Sequence, residues 1–304
     1  MDITVCFASD AGYARHLAVA LASLLHNKAR GDRLTICILD GGIAERDRRI
    51  LEGMAQEGGA SLRFVPVRGE SFHDAPIQTL AGSVSHISRA AYYRLLLASL
   101  LPDVEKVIYL DCDLVCRGSL APLYGLDMKG DWLRGVVDID AETHRRRLGL
   151  RKYICSGVLL VDLKAWREHS VEERCTAFLR DHADMIVLHD QDVLNVVCQE
   201  HLGYLDRIWN AQACATRQGR LSGFNDVAKI ANIVHFIGGR KPWQAGCQHP
   251  FRREYFRYLR MTPYRNMVWR WRWDCLIYAL AHTKYSHGRK RWYVCGIRVW
   301  QKRD

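Results

Sequence analysis

From residue 3 to residue 236, short runs of apolar residues alternate with amphipathic segments. The runs rich in Val, Ile and Leu predict strands at residues 3–8, 34–39, 62–67, 106–110, 132–138, 153–162 (interrupted at 155–157) and 230–236. Apolar residues spaced three and four apart predict helices at residues 13–25, 46–56, 86–101, 163–180 and 190–198. This alternation predicts an α/β sheet with helices on both faces, which binds ligands at the carboxyl ends of its strands.

Two carboxylates follow directly after the apolar run Lys106-Val107-Ile108-Tyr109-Leu110. In an extended chain the side chains of Asp111 and Asp113 point to the same face and converge. The two carboxylates repel each other unless a cation neutralises them. Mg²⁺ and Mn²⁺ prefer hard oxygen ligands, and an ion held by one or two carboxylates usually also binds a substrate phosphate. Taken alone, a pair with this spacing is more often a solvated strand end.

Polar residues lie at the ends of other predicted strands as well. Asp10, Asp138 and His235 all fall at or next to such ends, which strengthens the interpretation of a ligand site. His235 is a candidate metal ligand, and the Gly238-Gly239 pair with Lys241 suits a phosphate. Alternatives stay open, because Asp10 and Asp190 are each also plausible helix caps and Arg94 a structural cation.

Composition divides the chain in two. Among its 304 residues, 49% are apolar and 25% charged, which is ordinary for a globular protein. Residues 252–304 hold 14 Lys and Arg but only 3 Asp and Glu, so this segment accounts for the whole net charge of +11. We therefore expect a core domain at residues 1–250, which carries the candidate ligand site, and a basic segment at 251–304.

The cysteines and the hydropathy profile bear on location. Eleven cysteines are scattered without any C-x-x-C pair, which favours reduced thiols and a cytoplasmic protein. The N-terminus lacks a basic region followed by an apolar one, and no 18-residue apolar span occurs. We expect neither a signal peptide nor a transmembrane helix.

The C-terminal segment combines aromatic and basic residues. Five of the nine tryptophans lie within residues 264–304, interleaved with Arg and Lys. This composition favours a small basic helical segment that lies on an anionic membrane, peripheral on the inner face of the cytoplasmic membrane. A helix pair that only covers the core is the alternative, and single-stranded nucleic acid is disfavoured because residues 1–251 are electrically neutral.

Four motifs together resemble glycosyltransferase family 8, the retaining nucleotide-sugar transferases. They are Tyr109-Leu110-Asp111-Cys112-Asp113, Ser156-Gly157-Val158-Leu159-Leu160-Val161-Asp162-Leu163, Asp190-Gln191-Asp192-Val193-Leu194-Asn195 and His-x-x-Gly-x-x-Lys-Pro-Trp at 235–243. The resemblance is greatest to bacterial lipooligosaccharide and lipopolysaccharide galactosyl- and glucosyltransferases. It implies a GT-A type, Rossmann-like mixed sheet, a Mn²⁺ cofactor (with Mg²⁺ as the alternative) and UDP-galactose or UDP-glucose as donor.

The resemblance also implies site residues. Asp111, Asp113 and His235 match the metal ligands. The nucleotide-sugar contacts that it implies are Ala8, Asp10 and Tyr13 for uracil, Gly238 and Lys241 for the diphosphate, and Arg94, Asp138, Asp190 and Gln191 around the sugar, with Cys112 also among the nucleotide-binding residues. Gln191 and Asp190 are the candidate catalytic residues, and front-face attack beside Gln191 is favoured over a covalent adduct on Asp190.

Two departures from the family pattern concern specificity. Cys155 replaces the usual Asn before Ser156-Gly157, and Gly12 stands where a polar residue is common. The implied reaction moves a hexose to a saccharide or glycolipid hydroxyl with an α linkage, in cell-surface glycan synthesis. The alternatives are a UDP-sugar-binding membrane protein without turnover, and a metal-dependent phosphatase or nucleotidyltransferase.

Overall fold

The computed structural model describes residues 1–67, 89–214, 223–285, 289–295 and 297–303. Strands and helices alternate as predicted. The first half contains β1 (Asp2–Ser9), α1 (Ala14–Asn27), β2 (Arg33–Asp40), α2 (Glu45–Glu57), β3 (Ser61–Pro66), a 3-10 helix (Arg89–Leu96), α3 (Leu97–Leu100), β4 (Lys106–Leu110), β5 (Leu114–Cys116), α4 (Ala121–Tyr124), β6 (Leu133–Val137) and α5 (Ala141–Leu148).

The second half begins on the central sheet and ends in a separate small sheet. It contains β7 (Ile154–Asp162), α6 (Leu163–Glu168), α7 (Val171–Asp181), α8 (His189–Val197), β8 (Leu202–Tyr204), β9 (Ala211–Ala213), α9 (Phe224–Val227), β10 (Ile233–Phe236), α10 (Arg252–Leu259), α11 (Met267–Leu280), β11 (Ala281–Tyr285), β12 (Arg289–Val294) and β13 (Ile297–Arg303). Short 3-10 turns lie at Ala183–Met185, Gln199–His201 and Arg207–Trp209.

Seven strands form a mixed sheet in the order β3-β2-β1-β4-β7-β6-β8. The β3, β2, β1 and β4 neighbours are parallel, whereas β7 runs antiparallel to both β4 and β6. The chain moves outward from β1 to β3 and then returns to β4 on the other side of β1. The carboxyl ends of β1 and β4 are therefore a topological switch point, where α/β sheets bind their ligands.

Both faces of this sheet are covered. In β1, Ile3, Val5 and Phe7 pack into one apolar layer with α1, and Cys6 and Ala8 pack into the opposite layer with α8. Successive strand residues point to opposite faces, so a strand buried on both sides must be apolar throughout. This explains the uninterrupted apolar runs of the sequence.

A second sheet, in the order β5-β10-β9, stands beside the switch point. Its antiparallel β5–β10 pairing sets His235 opposite Leu114, the residue that follows Asp113. The two strands therefore bring the strand-end histidine to the D-x-D motif across more than a hundred residues of chain. Strands β5, β8 and β9 were not predicted, because three residues are too few to show a period of two.

Several predicted elements differ in detail. The predicted helix 163–180 is two helices, α6 and α7, separated at Ser170, whose φ is +49°. The apolar periodicity crosses this break because Trp166 of α6 and Cys175 of α7 face the same core. Strand β7 runs without a break from Ile154 to Asp162, although its register with β6 shifts across 155–157, where Gly135 pairs with Leu159 and Val137 with Ile154. The strand predicted at 230–236 begins at Ile233.

The predicted helix 86–101 begins outside the described residues, which exclude 86–88. Its described part is the 3-10 helix followed by the single turn α3. The Arg94 Nε–H donates to Ala91 O at 2.9 Å, which ties the side chain back onto the preceding turn.

The C-terminal segment is only partly helical, so the helical prediction for it is wrong beyond residue 280. Helices α10 and α11 are followed by the antiparallel sheet β11-β12-β13. Aromatic and β-branched residues favour strands, and the rings of Trp292 and Trp300 meet across β12 and β13 with centroids 5.9 Å apart. Within the described ranges, the helices are too short or too polar to span a bilayer.

Candidate active site

A cavity of about 520 Å³ opens at the carboxyl ends of β1 and β4. The loops after β1, β4, β6 and β10 and the start of α8 line it, together with one turn of the 3-10 helix. Every site residue named from the sequence lies on its wall: Ala8, Asp10, Tyr13, Arg94, Asp111, Cys112, Asp113, Asp138, Asp190, Gln191, His235, Gly238 and Lys241. The structure thus brings the whole predicted set together, while the role of each residue remains a prediction.

Three of these side chains form a cluster that fits a divalent cation. Asp111, Asp113 and His235 each offer one ligand atom, and these atoms lie within 4.8 Å of one another. The His235 Nε2 atom is 3.1 Å from Asp113 Oδ1 and 3.7 Å from Asp111 Oδ2. Two carboxylate oxygens and one imidazole nitrogen suit Mn²⁺, and Mg²⁺ accepts the oxygens.

Asn210 orients the histidine, and the sequence analysis missed it. The His235 Nδ1–H donates to Asn210 Oδ1 at 3.0 Å, and Asn210 is fully buried. An acceptor at Nδ1 holds the proton there and turns Nε2 toward the two aspartates, as in many metal sites. Asn210 lies between two very short elements and belongs to no recognised motif, so only the fold reveals it.

Gly157 makes room for the cluster. A Cβ atom built at this position would lie 2.2 Å from His235 Cε1 and 2.7 Å from Asp111 Oδ2. The backbone of β7 therefore lies directly against His235 and Asp111, and the Asp111 N–H donates to Gly157 O at 2.9 Å. Only glycine permits this approach, which gives a physical reason for glycine in the Ser156-Gly157 motif.

Arg94 joins two parts of the site. The buried guanidinium donates to Ser156 O at 2.5 Å and to Asp111 Oδ1 at 2.8 Å, and its Nε lies 3.0 Å from Asp190 Oδ2. It also stacks on the Tyr109 ring, 4.4 Å from the centroid. Burial opposes its charge, but the two carboxylates outweigh this effect and keep the pKa of Arg94 above its ordinary value.

The second aspartate of the motif is held by Lys241 and His235. The Lys241 Nζ donates to Asp113 Oδ2 at 2.5 Å and to Phe236 O at 2.7 Å. Burial favours the neutral acid, yet these two cations outweigh it and lower the pKa of Asp113 well below its usual range. Burial likewise disfavours an imidazolium, but Asp113 outweighs it and raises the pKa of His235 to about 10.

Gln191 is fixed on both sides of its amide. Its Oε1 accepts from the Ser156 N–H at 3.0 Å, and its Nε2 donates to Asp138 Oδ2 at 3.2 Å. Asp138 Oδ1 accepts in turn from the Asp140 N–H at 2.8 Å. Burial raises the pKa of Asp138, which the hydrogen bonds partly offset.

Asp190 is not the helix cap that the sequence suggested. Helix α8 begins at His189, so Asp190 lies inside its first turn, with Leu188 at the cap position. Its buried side chain points to Arg94 instead of the helix end. Burial raises the pKa of Asp190, and Arg94 opposes this rise.

At the other end of the cavity, one oxygen of Asp10 shapes the turn that starts α1. Asp10 Oδ1 accepts from the N–H groups of Gly12 at 2.8 Å and Tyr13 at 3.1 Å. The Cys112 thiol donates to Ala8 O at 3.2 Å, which joins the loop after β4 to the end of β1. Cys155, directly before Ser156-Gly157, is also buried on the cavity wall.

The loop that carries Gly238 and Lys241 is anchored by the tryptophan of its motif. The Trp243 ring stacks on His16 of α1, with centroids 3.8 Å apart, and contacts the Tyr255 ring at 5.0 Å. Gly238 has φ +80°, a conformation that suits glycine. The loop is thus tied to α1 and α10 beside the cavity.

Comparison with known proteins identifies a family. The model of glycosyl transferase family 8 matches residues 4–247. General stress protein A of Bacillus subtilis is 32% identical over 88% of this chain and 96% of its own length, and the lipopolysaccharide glucosyltransferase WaaO of Escherichia coli is 25% identical over 87% and 79%.

A solved structure agrees with this match. The galactosyltransferase LgtC, crystallised with donor and acceptor sugar analogs, superposes with a TM-score of 0.74 at 28% identity, over 86% of this chain and 96% of that chain. The predicted GT-A type fold is therefore confirmed. The chain belongs to glycosyl transferase family 8 and is a glycosyltransferase.

Proposed function

We propose that this enzyme is a retaining, divalent-metal-dependent hexosyltransferase that moves galactose or glucose from a UDP-sugar to a hydroxyl group of a saccharide acceptor, forming an α linkage. The observation that carries the proposal is the cluster of Asp111, Asp113 and His235 within 4.8 Å, in the same cavity as Gln191 and Lys241. The three-residue cluster with Lys241 suits a diphosphate, and Asp138, Asp190 and Gln191 offer carboxylate and amide groups for a sugar.

Asp111, Asp113 and His235 would hold Mn²⁺, or Mg²⁺ in its place, and the ion would neutralise charge on the phosphates of the leaving UDP. Lys241 lies beside Asp113 and adds a second positive charge at this end of the cavity. The open backbone at Gly238 would let its N–H approach a phosphate oxygen. Ala8, Asp10 and Tyr13 would contact the uracil ring.

Gln191 would act at the anomeric carbon. A carbonyl oxygen has two lone pairs, and the Ser156 N–H uses one of them, so the other is available to a cationic sugar. An amide is a poor nucleophile, which favours front-face attack by the acceptor hydroxyl over a covalent intermediate. A Gln191→Ala enzyme with full transfer activity would contradict this role, and an adduct trapped on Asp190 would favour double displacement.

The acceptor is proposed from the relatives. WaaO is named a lipopolysaccharide glucosyltransferase and LgtC a galactosyltransferase, so a lipopolysaccharide, lipooligosaccharide or related glycolipid is the proposed acceptor and both hexoses belong in the test. The experiment is a panel of UDP-sugars with and without Mn²⁺, read as UDP release and product formation. Mn²⁺-dependent UDP release from one hexose donor is expected.

Other outcomes of this panel would contradict the proposal. Release of inorganic phosphate would point to a phosphatase. Tight UDP-sugar binding without release of UDP, even with a lipooligosaccharide acceptor present, would point to a binding protein.

We also propose that the C-terminal segment 251–304 attaches the enzyme to an anionic membrane surface, on the cytoplasmic side. Helix α11 exposes 68% of Trp269 and 64% of Trp273, and Trp300 of β13 is exposed as well. Basic residues lie between these rings, and aromatic rings with Lys and Arg suit the lipid headgroup region.

Truncation would be a poor test of this segment, because Val268 is buried and Trp271 packs on Phe256 with centroids 4.3 Å apart. The sharper variant is Trp269→Ser with Trp273→Ser. We expect it to lose binding to phosphatidylglycerol vesicles and to keep UDP release, while Tyr204→Ser, at an exposed aromatic of β8, keeps both. Unchanged vesicle binding of the double variant would overturn the proposal.

A further inference from the structure

The start of helix α8, which carries Asp190 and Gln191, is a strained turn. His189 has φ +51°, a conformation that costs free energy for a residue with a side chain. The strain occurs immediately before the two candidate catalytic residues. Something in the surrounding structure must hold the turn in place.

Asp192 holds the backbone on the N-terminal side of this turn. This side chain is fully buried, and its Oδ2 accepts from the N–H groups of Val187 at 2.7 Å and Leu188 at 2.8 Å. Its Oδ1 accepts from the Tyr153 hydroxyl. The carboxylate thereby ties the incoming chain to the first turn of α8, with the strained His189 between them.

Arg147, at the end of α5, completes the arrangement. Its Nη2 donates to both oxygens of Asp192, at 2.7 and 2.8 Å, and its Nη1 donates to Met185 O at 2.7 Å. A buried carboxylate is stable only when a cation and hydrogen bonds compensate it. Arg147 supplies this compensation from outside α8 and also holds the backbone of the approaching loop.

The pair also connects two sides of the active site. Helix α5 begins three residues after Asp138, and Gln191 donates to Asp138 from α8. The segments 138–148 and 185–192 are thus joined at two points: Gln191 contacts Asp138 inside the cavity, and Arg147 contacts Asp192 outside it. In the described part of the chain, neither Arg147 nor Asp192 lines the cavity, so this second connection works without touching substrate.

We propose that Arg147 and Asp192 are positioning residues, which hold the His189 turn and thereby aim Asp190 and Gln191 at the donor sugar. The inference rests on the proposed function. The proposal distinguishes recognition of the sugar from binding of Mn²⁺ and UDP, because the proposed metal ligands and uracil contacts lie outside α8. Loosening the pair should impair recognition and transfer of the sugar but leave the binding of Mn²⁺ and UDP intact.

The test compares Arg147→Met with wild type in the full chain. We expect kcat for UDP release to fall about 10- to 100-fold, since a displacement of about 1 Å costs that much, and the Kd of UDP with Mn²⁺ to change less than about twofold. Affinity for the intact UDP-sugar should fall relative to affinity for UDP. Arg147→Lys should recover part of kcat, because an ammonium group restores the charge without the paired donors.

The matched control is Arg151→Met, at a nearby arginine whose exposed side chain pairs with Glu200. It should behave as wild type. The inference is overturned if Arg147→Met keeps its kcat, if it loses UDP affinity as much as it loses kcat, or if Arg151→Met has the same effect. Should Arg147→Met fail to fold, Arg147→Lys carries the same comparison. If the wild-type enzyme showed no turnover, the proposed function would be wrong. The role of Arg147 and Asp192 would still be tested by comparing the affinities of wild type and Arg147→Met for UDP-sugar and for UDP.

Discussion

Replacing Gly157 with alanine is the sharpest perturbation of the proposed metal site, because it adds one methyl group and changes no ligand. The new Cβ would lie 2.2 Å from His235 Cε1 and 2.7 Å from Asp111 Oδ2, closer than the 3.0 Å that real Cβ atoms keep. Restoring a carbon–carbon contact of about 3.5 Å would move the His235 ring by about 1.3 Å. Metal sites hold their ligand distances to about 0.2 Å, so the histidine would no longer reach the ion.

We expect Gly157→Ala to weaken Mn²⁺ binding by about 100-fold or more, which corresponds to about 2.8 kcal/mol. Titration calorimetry with Mn²⁺ in the presence of UDP measures this change. Gly135→Ala is the control for crowding of the same sheet, because its Cβ would meet Ile154 Cδ1 at 2.5 Å and no metal ligand. It should lower thermal stability and keep Mn²⁺ affinity. Wild-type Mn²⁺ affinity in Gly157→Ala would refute the assignment of the ligands.

Three further results are expected. Asn210→Leu should weaken Mn²⁺ binding about 10- to 100-fold, because the His235 Nδ1–H loses its acceptor. Asn210→Asp keeps an acceptor and should bind Mn²⁺ as wild type does. Equal affinities of Asn210→Leu and wild type in titration calorimetry would contradict this prediction. Mn²⁺ affinity should rise between pH 6.5 and about 10, because the ion displaces a proton from His235, whose pKa in the folded chain is about 10. The stability of the fold should change in the opposite direction. The interaction of the His235 imidazolium with Asp113 stabilises the fold fully below pH 6.5, and this stabilisation is lost as the pH rises through about 10. A melting temperature and a Mn²⁺ affinity that stay constant from pH 6.5 to about 10 would contradict the raised pKa of His235. Lys241→Met should weaken UDP binding about 10-fold or more, because the variant loses a positive charge beside the phosphates. The control Arg240→Met, at an exposed neighbour, should bind UDP as wild type does. Fluorescence titration with a UDP analogue measures both affinities.

The sequence predicts the central site because each of its residues is part of a recognisable local pattern. Asp111, Asp113 and His235 stand at the ends of apolar runs, and the ends of neighbouring strands meet at one edge of a sheet. The resemblance to the family supplied Arg94 and Gln191, whose spacing alone suggests only a structural cation and a capped helix. The fold then explains how these residues reach the same cavity.

Other features depend on contacts that no local pattern reveals. Asn210 meets His235 through the pairing of β9 with β10, and Arg147 meets Asp192 across 45 residues. Asp190 lies at a helix start, where a cap is the ordinary interpretation, but the buried Arg94 attracts its carboxylate. Beyond residue 280, basic residues are mixed with aromatic and β-branched ones in β12 and β13, and this mixture does not by itself predict the pairing of the two strands.

In the proposed site Asp113 holds the metal ion that binds the donor, and the most direct test measures the UDP affinity of Asp113→Asn with and without Mn²⁺. Wild type should bind UDP much more tightly with Mn²⁺. Asp113→Asn should lose this dependence together with Mn²⁺ binding itself, and Asp226→Asn, an exposed aspartate paired with Lys229, should retain both. If Asp113→Asn bound Mn²⁺ and UDP as wild type does, the metal site proposed for this enzyme would be wrong.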